Sequence, residues 1–127
     1  MSENFKAAMQ DGEVYVQIPE APMYYVSNYG NVYSEKRNKI LDPEITHHRY
    51  ERVGLRVDGE THRYYVHRLV AGAFCPRDDR QQWTHHINGD HFDNRAANLV
   101  WVTRTQHNTM HYTEKAAKET EDYERKN

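Results

Sequence analysis

Of the nine histidines in this chain of 127 residues, five fall in one stretch between Trp83 and His111, and four of these stand in two close pairs. Trp83-Thr84-His85-His86-Ile87-Asn88-Gly89-Asp90 opens it, Asn98-Leu99-Val100-Trp101-Val102-Thr103 continues it, and His107-Asn108-Thr109-Met110-His111 closes it. Imidazole binds metal ions and, with an ordinary pKa of about 6.5, exchanges protons near neutral pH. His85 and His86 are consecutive, so on a strand they point to opposite faces and suit different tasks. His107 and His111 stand four apart, so on a helix they share a face and can reach one metal ion. One strand histidine can join that pair, leaving its neighbour for other chemistry. Between them lie Asn88-Gly89-Asp90, Asp93-Asn94 and Asn98, residue types that bond local backbone and fix tight loops. The outline is strand, loop, strand, helix, with a metal held between strand and helix.

The elements that must position these groups come earlier. Val14 to Ile18 alternates and then meets Pro19 and Pro22, which predicts a short edge strand. Two β-rich runs flank Asn28-Tyr29-Gly30, a hairpin signal. Lys36-Arg37-Asn38-Lys39 reads as a basic loop. Tyr50 to Val57 puts Val53, Leu55 and Val57 on one face and Arg52 and Arg56 on the other. Asp58-Gly59 then turns the chain back through Thr61 to Val66. From Val66 the period becomes helical through Leu69, Val70, Ala73 and Phe74, and Pro76 closes the run. Residues 1–12 read as a flexible tail and 113–127 as a charged helical tail, with a helix beginning near Thr105. The fold class is α+β: N-terminal antiparallel hairpins and a short helix, then the strand–loop–strand–helix unit.

Composition narrows the class. The length fits one domain with a modest core, and the ten tyrosines can cover a thin core while keeping their hydroxyls wet. Cys75 stands alone, which excludes a disulfide framework and a four-cysteine zinc site. No apolar run approaches the roughly 18 residues needed to span a membrane, and residues 1–6 lack a signal-peptide pattern. A cytoplasmic protein without a membrane partner is the expectation. The net charge of −2 argues mildly against nucleic acid. However, residues 21–112 hold twelve Lys and Arg against ten Asp and Glu, so the middle is slightly basic.

Taken together, Val66-His67-Arg68-Leu69-Val70-Ala71, Ala73-Phe74, His86-Ile87-Asn88-Gly89-Asp90, Asp93-Asn94, Asn98-Leu99, Trp101-Val102-Thr103 and His107-Asn108 resemble the HNH (ββα-metal, or His-Me finger) endonucleases of the phage and intron homing type. Tyr25 to Ser34 resembles the small β module that often precedes that nuclease. The resemblance covers roughly residues 13–112 and divides them into a β-rich DNA-binding module, 13–65, and a nuclease motif, 66–112. It implies that His86 is the general base, that Asn98 braces the loop and that His85 and His107 are metal ligands. Asn108 stands next to His107 as the alternative, since homing-type relatives often have a single Asn at the place of His107. His111 resembles an extra helical ligand seen in the colicin branch.

The implied reaction is metal-dependent hydrolysis of DNA phosphodiesters with one divalent ion, leaving 5′-phosphate and 3′-hydroxyl ends. Mg or Mn is expected in use, with Zn, Ni or Co able to bind imidazole more tightly. Lys36, Arg37, Lys39, Arg52, Arg56, Arg63, Arg68 and Arg104 are candidates for phosphate contacts. A monomer would tend to nick and a homodimer could cut both strands; another phage protein is a further conceivable partner. Two blander readings stand beside this one: a DNA-binding regulator that has lost cleavage, and a zinc-stabilised protein-interaction domain. Among single residues, His47-His48 reads as a solvated pair, His62 as strand surface, His91 as a loop residue and His67 as a capping or packing residue. Trp83 and Trp101 read as core packing, and Cys75 as a small buried apolar group.

Overall fold

The computed structural model describes residues 9–109, so His111 and the 113–127 tail lie outside the described residues, as do residues 1–8 of the N-terminal tail. Strands β1 (Tyr15–Ile18), β2 (Ala21–Ser27), β3 (Val32–Ser34) and β4 (Lys39–Ile40) form one antiparallel sheet in that order. Strands β5 (Glu44–Ile45), β6 (Glu51–Val57) and β7 (Glu60–Tyr65) form a second, also antiparallel. Helix α1 (Val66–Phe74) follows directly. Strands β8 (Trp83–His86) and β9 (Leu99–Val102) make a third, two-stranded sheet, with a 3₁₀ turn at Ala96–Asn98 before β9 and residues 104–109 helical after it. The architecture is α+β, as expected from the sequence.

Local sequence explains the turns. Asp58 and Gly59 take φ of 53° and 79°, the positive pair that a two-residue hairpin needs. Gly30 takes φ 89° between β2 and β3. A Cβ there would lie 3.1 Å from both Cβ and the carbonyl oxygen of Asn94, so glycine lets the loop before β9 approach this turn. Ala96 N–H completes the junction by donating to Asn28 O at 2.8 Å.

One core unites the three sheets. Ile18, Tyr24, Val26 and Val32 from the first sheet pack with Val53 and Leu55 of β6, Val66, Val70 and Ala71 of α1, and Leu99 and Trp101 of β9. The indole N–H of Trp101 donates to Ala71 O at 2.9 Å, which satisfies a buried donor and ties β9 to the helix. Among the described residues, no helix is long and apolar enough to cross a membrane.

One expectation is corrected. Trp83 is 43% exposed and does not pack the core. It lies two positions before His85, on the same strand face, and its ring stacks 5.5 Å from that of His107. The expected edge strand forms as β1; Val14, just before it, and Val16 are exposed, while Ile18 turns inward after a register shift between Gln17 and Ile18. The alternation there marks a strand whose bulge changes the buried face.

Candidate active site

The β8–β9 ribbon carries the histidine pair. His85 pairs across from Val100 and His86 from Leu99. The intervening loop is cross-braced by Asn98, whose side chain is buried. Its Oδ1 accepts from Asn88 N–H at 3.0 Å, and its Nδ2 donates to Asn88 Oδ1 and Asp93 O, each at 2.9 Å. Ile87 N–H adds a bond to Asn98 O at 2.8 Å. These contacts fix the exit of the chain from His86. Asp93 is held in turn by Arg95 at 2.8 Å, which keeps its carboxyl down at about 2.

His85, His86 and His107 line one small cavity together with Tyr50, Thr84, Gly89 and His91. Its volume is about 20 Å³, room for a single water or a bare ion. The ring of Tyr50 stacks on His91 with centroids 4.2 Å apart and lies 6.2 Å from His86 and 5.2 Å from His67. His67 stands 5.0 Å from His86 on the inner side. Burial pushes His67 down to about 3, with the neighbouring His86 adding to the effect. Burial also pushes His86 down, helped by His91 and His85 and opposed by its contact with Asn94.

That contact is the closest around His86. Its Nε2 lies 2.8 Å from Asn94 Oδ1, and Asn94 is 3% exposed. Asn94 Nδ2 then donates to Glu51 Oε1 at 2.8 Å, at the start of β6. Burial pushes the Glu51 carboxyl up, and the Asn94 bond pulls it back. Asn94, Glu51, Tyr50, Thr84 and His91 were not assigned to the site from sequence. Asn94 and His91 offered a signal, since both lie in the loop bounded by His86 and Asn98. Glu51, Tyr50 and Thr84 offered none.

Among the described residues, no three His, Cys, Asp or Glu side chains are grouped to hold a metal. Two imidazoles, His85 and His107, line the cavity, and the third expected ligand, His111, is not described. Thr84 Oγ1, also on the cavity wall, is buried without a hydrogen-bond partner, so the site has polar valence that a hydrated ion would satisfy. The donor set therefore fits a divalent ion that keeps open positions for oxygen ligands.

The expected DNA-contacting side chains divide. Arg37, Lys39, Arg52 and Arg63 line one groove of about 430 Å³ with Glu44. Arg68 lines another, of about 670 Å³, with Arg77 and Trp83, and reaches Gln82 O at 3.4 Å. Lys36, Arg56 and Arg104 are exposed and line neither groove.

Known proteins resemble the chain over most of the described residues. Residues 64–109 match the family model of an HNH endonuclease, and residues 13–56 match the NUMOD4 motif. DNA endonuclease I-HmuI of Bacillus phage SP01 is 41% identical over 81 residues, covering 64% of this chain and 47% of that protein. H-N-H endonuclease F-TflII of Escherichia phage T5 is 32% identical over 107 residues, covering 83% of this chain and 50% of that protein. The chain thus spans about half the length of these curated relatives. A solved structure of the HNH homing endonuclease I-HmuI, described for DNA binding and cleavage, superposes with a TM-score of 0.73 at 34% identity. That match covers 81% of this chain and 59% of the solved one.

Proposed function

The chain carries an HNH endonuclease domain behind a NUMOD4 motif, and from that membership we propose that it hydrolyses DNA phosphodiester bonds with the help of one divalent metal ion. The observation that carries this reading is the convergence of His85, His86 and His107 on one small cavity. His86 serves as general base and takes a proton from the attacking water. Its lowered pKa keeps the ring neutral, and so able to accept, at physiological pH. His85 and His107 would hold the ion, with His111 as a further candidate. When bound, the ion supplies charge stabilisation at the phosphate and its leaving oxygen. Asn98 keeps the loop closed behind His86 through its bonds to Asn88 and Asp93. The products are 5′-phosphate and 3′-hydroxyl ends, Mg or Mn is the working metal, and the setting is a phage or mobile element. Phosphate contacts come from the basic side chains of the two grooves.

A plasmid-nicking assay with Mg or Mn, an EDTA control and His86→Ala tests this directly. Cleavage by His86→Ala is expected to fall by roughly 10²–10⁴-fold, while metal binding, measured by calorimetry, persists. Equal loss of both would refute the role given to His86. Unfolding of the parent on chelation, with no cleavage at any enzyme concentration, would instead point to a structural zinc domain.

A further inference from the structure

We propose that Glu51, on the first residue of β6, is a positioning residue for hydrolysis: acting through Asn94, it sets which nitrogen of His86 carries the proton. The inference rests on His86 being the base, and it adds a residue from outside the HNH match, which begins at residue 64.

The three side chains form a line with a fixed direction. A carboxylate has no proton to donate, so Glu51 can only accept. The atom of Asn94 that meets Glu51 at 2.8 Å must then be its amide nitrogen. This leaves Oδ1 toward His86, and an amide oxygen can only accept. The ring atom 2.8 Å away, Nε2, must therefore carry the proton. Nδ1 is left as the nitrogen with a lone pair. Without a group that only accepts at the Glu51 end, the Asn94 amide could turn over. His86 would then exchange to the other tautomer, with Nδ1 protonated and useless as a base. Burial of Asn94, at 3% exposure, keeps water from substituting for either partner. Tyr50, the residue before Glu51, packs against His91 and His86, so the same strand end that sets the tautomer also walls the ring.

The test reads tautomer and rate separately. The ¹⁵N shifts of the His86 ring in the full-length, metal-free protein are expected to show protonated Nε2 and unprotonated Nδ1. In Glu51→Gln, whose amide can face either way, the two forms should mix. Single-turnover nicking at saturating Mn should fall in proportion to the unproductive tautomer, about twofold for an even mixture, with DNA affinity unchanged. Glu51→Lys, which can only donate, should invert the tautomer and lose more. Asn94→Asp alone sets two carboxylates against each other and should be slow. Adding Glu51→Gln to it restores an ordered donor–acceptor line and should recover most of the rate. This rescue separates positioning from mere stability, as both variants bear the same packing load.

An unchanged His86 tautomer in both Glu51→Gln and Glu51→Lys would overturn the proposal, whatever the rates. Additive losses in the double variant would do the same. The reading of His86 itself fails by a different result, full cleavage by His86→Ala, which none of the Glu51 variants can mimic.

Discussion

His67 shows how much the site asks of single side chains. It is 8% exposed, lies 5.0 Å from His86, and has its Nδ1 buried without a hydrogen-bond partner among the described residues. Protonating it in place would bury a charge beside other imidazoles, which explains a folded-state pKa of about 3 against an ordinary 6.5. The unfolded chain binds that proton first as pH falls. The stability contributed by neutral His67 is thus fully present above about pH 6.5 and is lost progressively toward pH 3. Between pH 7.5 and pH 5 the parent should lose about 2 kcal/mol more than His67→Phe, as read by urea unfolding. Parallel slopes for the two proteins would show that His67 is not held neutral by burial. At this scale the sequence was partly legible. Histidines at 85, 86 and 107 were singled out by their spacing together with the motif around them, and the three line one cavity. The partners that orient and wall His86 were not singled out: Glu51 meets Asn94 across 43 positions, and no local pattern encodes that meeting. His91 was read as a loop residue, which it is, but its stacking on Tyr50 makes it part of the wall. Trp83 was misread because an aromatic residue in a strand reads as core. Its shared face with His85 was the signal that it borders the site instead.

Elements were more readable than contacts. The β2–β3 and β6–β7 hairpins, the helix after Val66 and the β8–β9 ribbon all follow from turn chemistry and from changes of hydrophobic period. The two-residue strands β4 and β5 were not anticipated, since they form by pairing onto longer neighbours rather than by their own pattern. What brings the elements together is the approach of the β2–β3 turn to the loop that bears Asn94. Gly30 and Gly59 have similar positive φ, 89° and 79°, yet only Gly30 has a neighbour where a Cβ would go. Alanine at either position carries the left-handed backbone cost of about 1–2 kcal/mol. Gly30→Ala must in addition push the Asn94 backbone, which lies 3.1 Å from the new Cβ. Gly59→Ala is thus expected to lower stability while sparing cleavage per folded molecule. Gly30→Ala should lower both, because Asn94 moves away from His86. Equal cleavage by the two variants, normalised to folded protein, would mean that the junction does not set the position of Asn94.

Over the whole molecule, the outer face of the β6–β7 hairpin runs from the histidine-lined cavity into the basic groove. Arg52 pairs across from Tyr65 and Gly54 from Arg63, so these four side-chain positions share one face. Tyr65 contacts Tyr50, which lines the cavity, at a ring separation of 5.9 Å. Glycine at 54 leaves the groove floor flat between two arginines, as suits the close approach of a backbone. Glu44 already occupies part of this space, with Oε1 2.6 Å from Arg52 Nε and 3.6 Å from Arg63 Nε. These groups are partly exposed, so the pairing adds little stability. Its larger effect is to cancel positive charge where a phosphate would sit. A DNA strand that leaves the cavity along this face would displace the Glu44 carboxylate. Glu44→Gln is then expected to tighten DNA binding at low salt. Arg52→Ala and Arg63→Ala should each weaken it and reduce the slope of log affinity against log salt by about one. Arg56 lies farther along β6 and lines neither groove, and serves as the control. Fluorescence anisotropy over a salt series distinguishes the cases. An Arg56→Ala slope change as large as that of Arg52→Ala would assign binding to diffuse surface charge rather than to this groove. Weaker binding by Glu44→Gln would show that the carboxylate orders the arginines for DNA instead of competing with it.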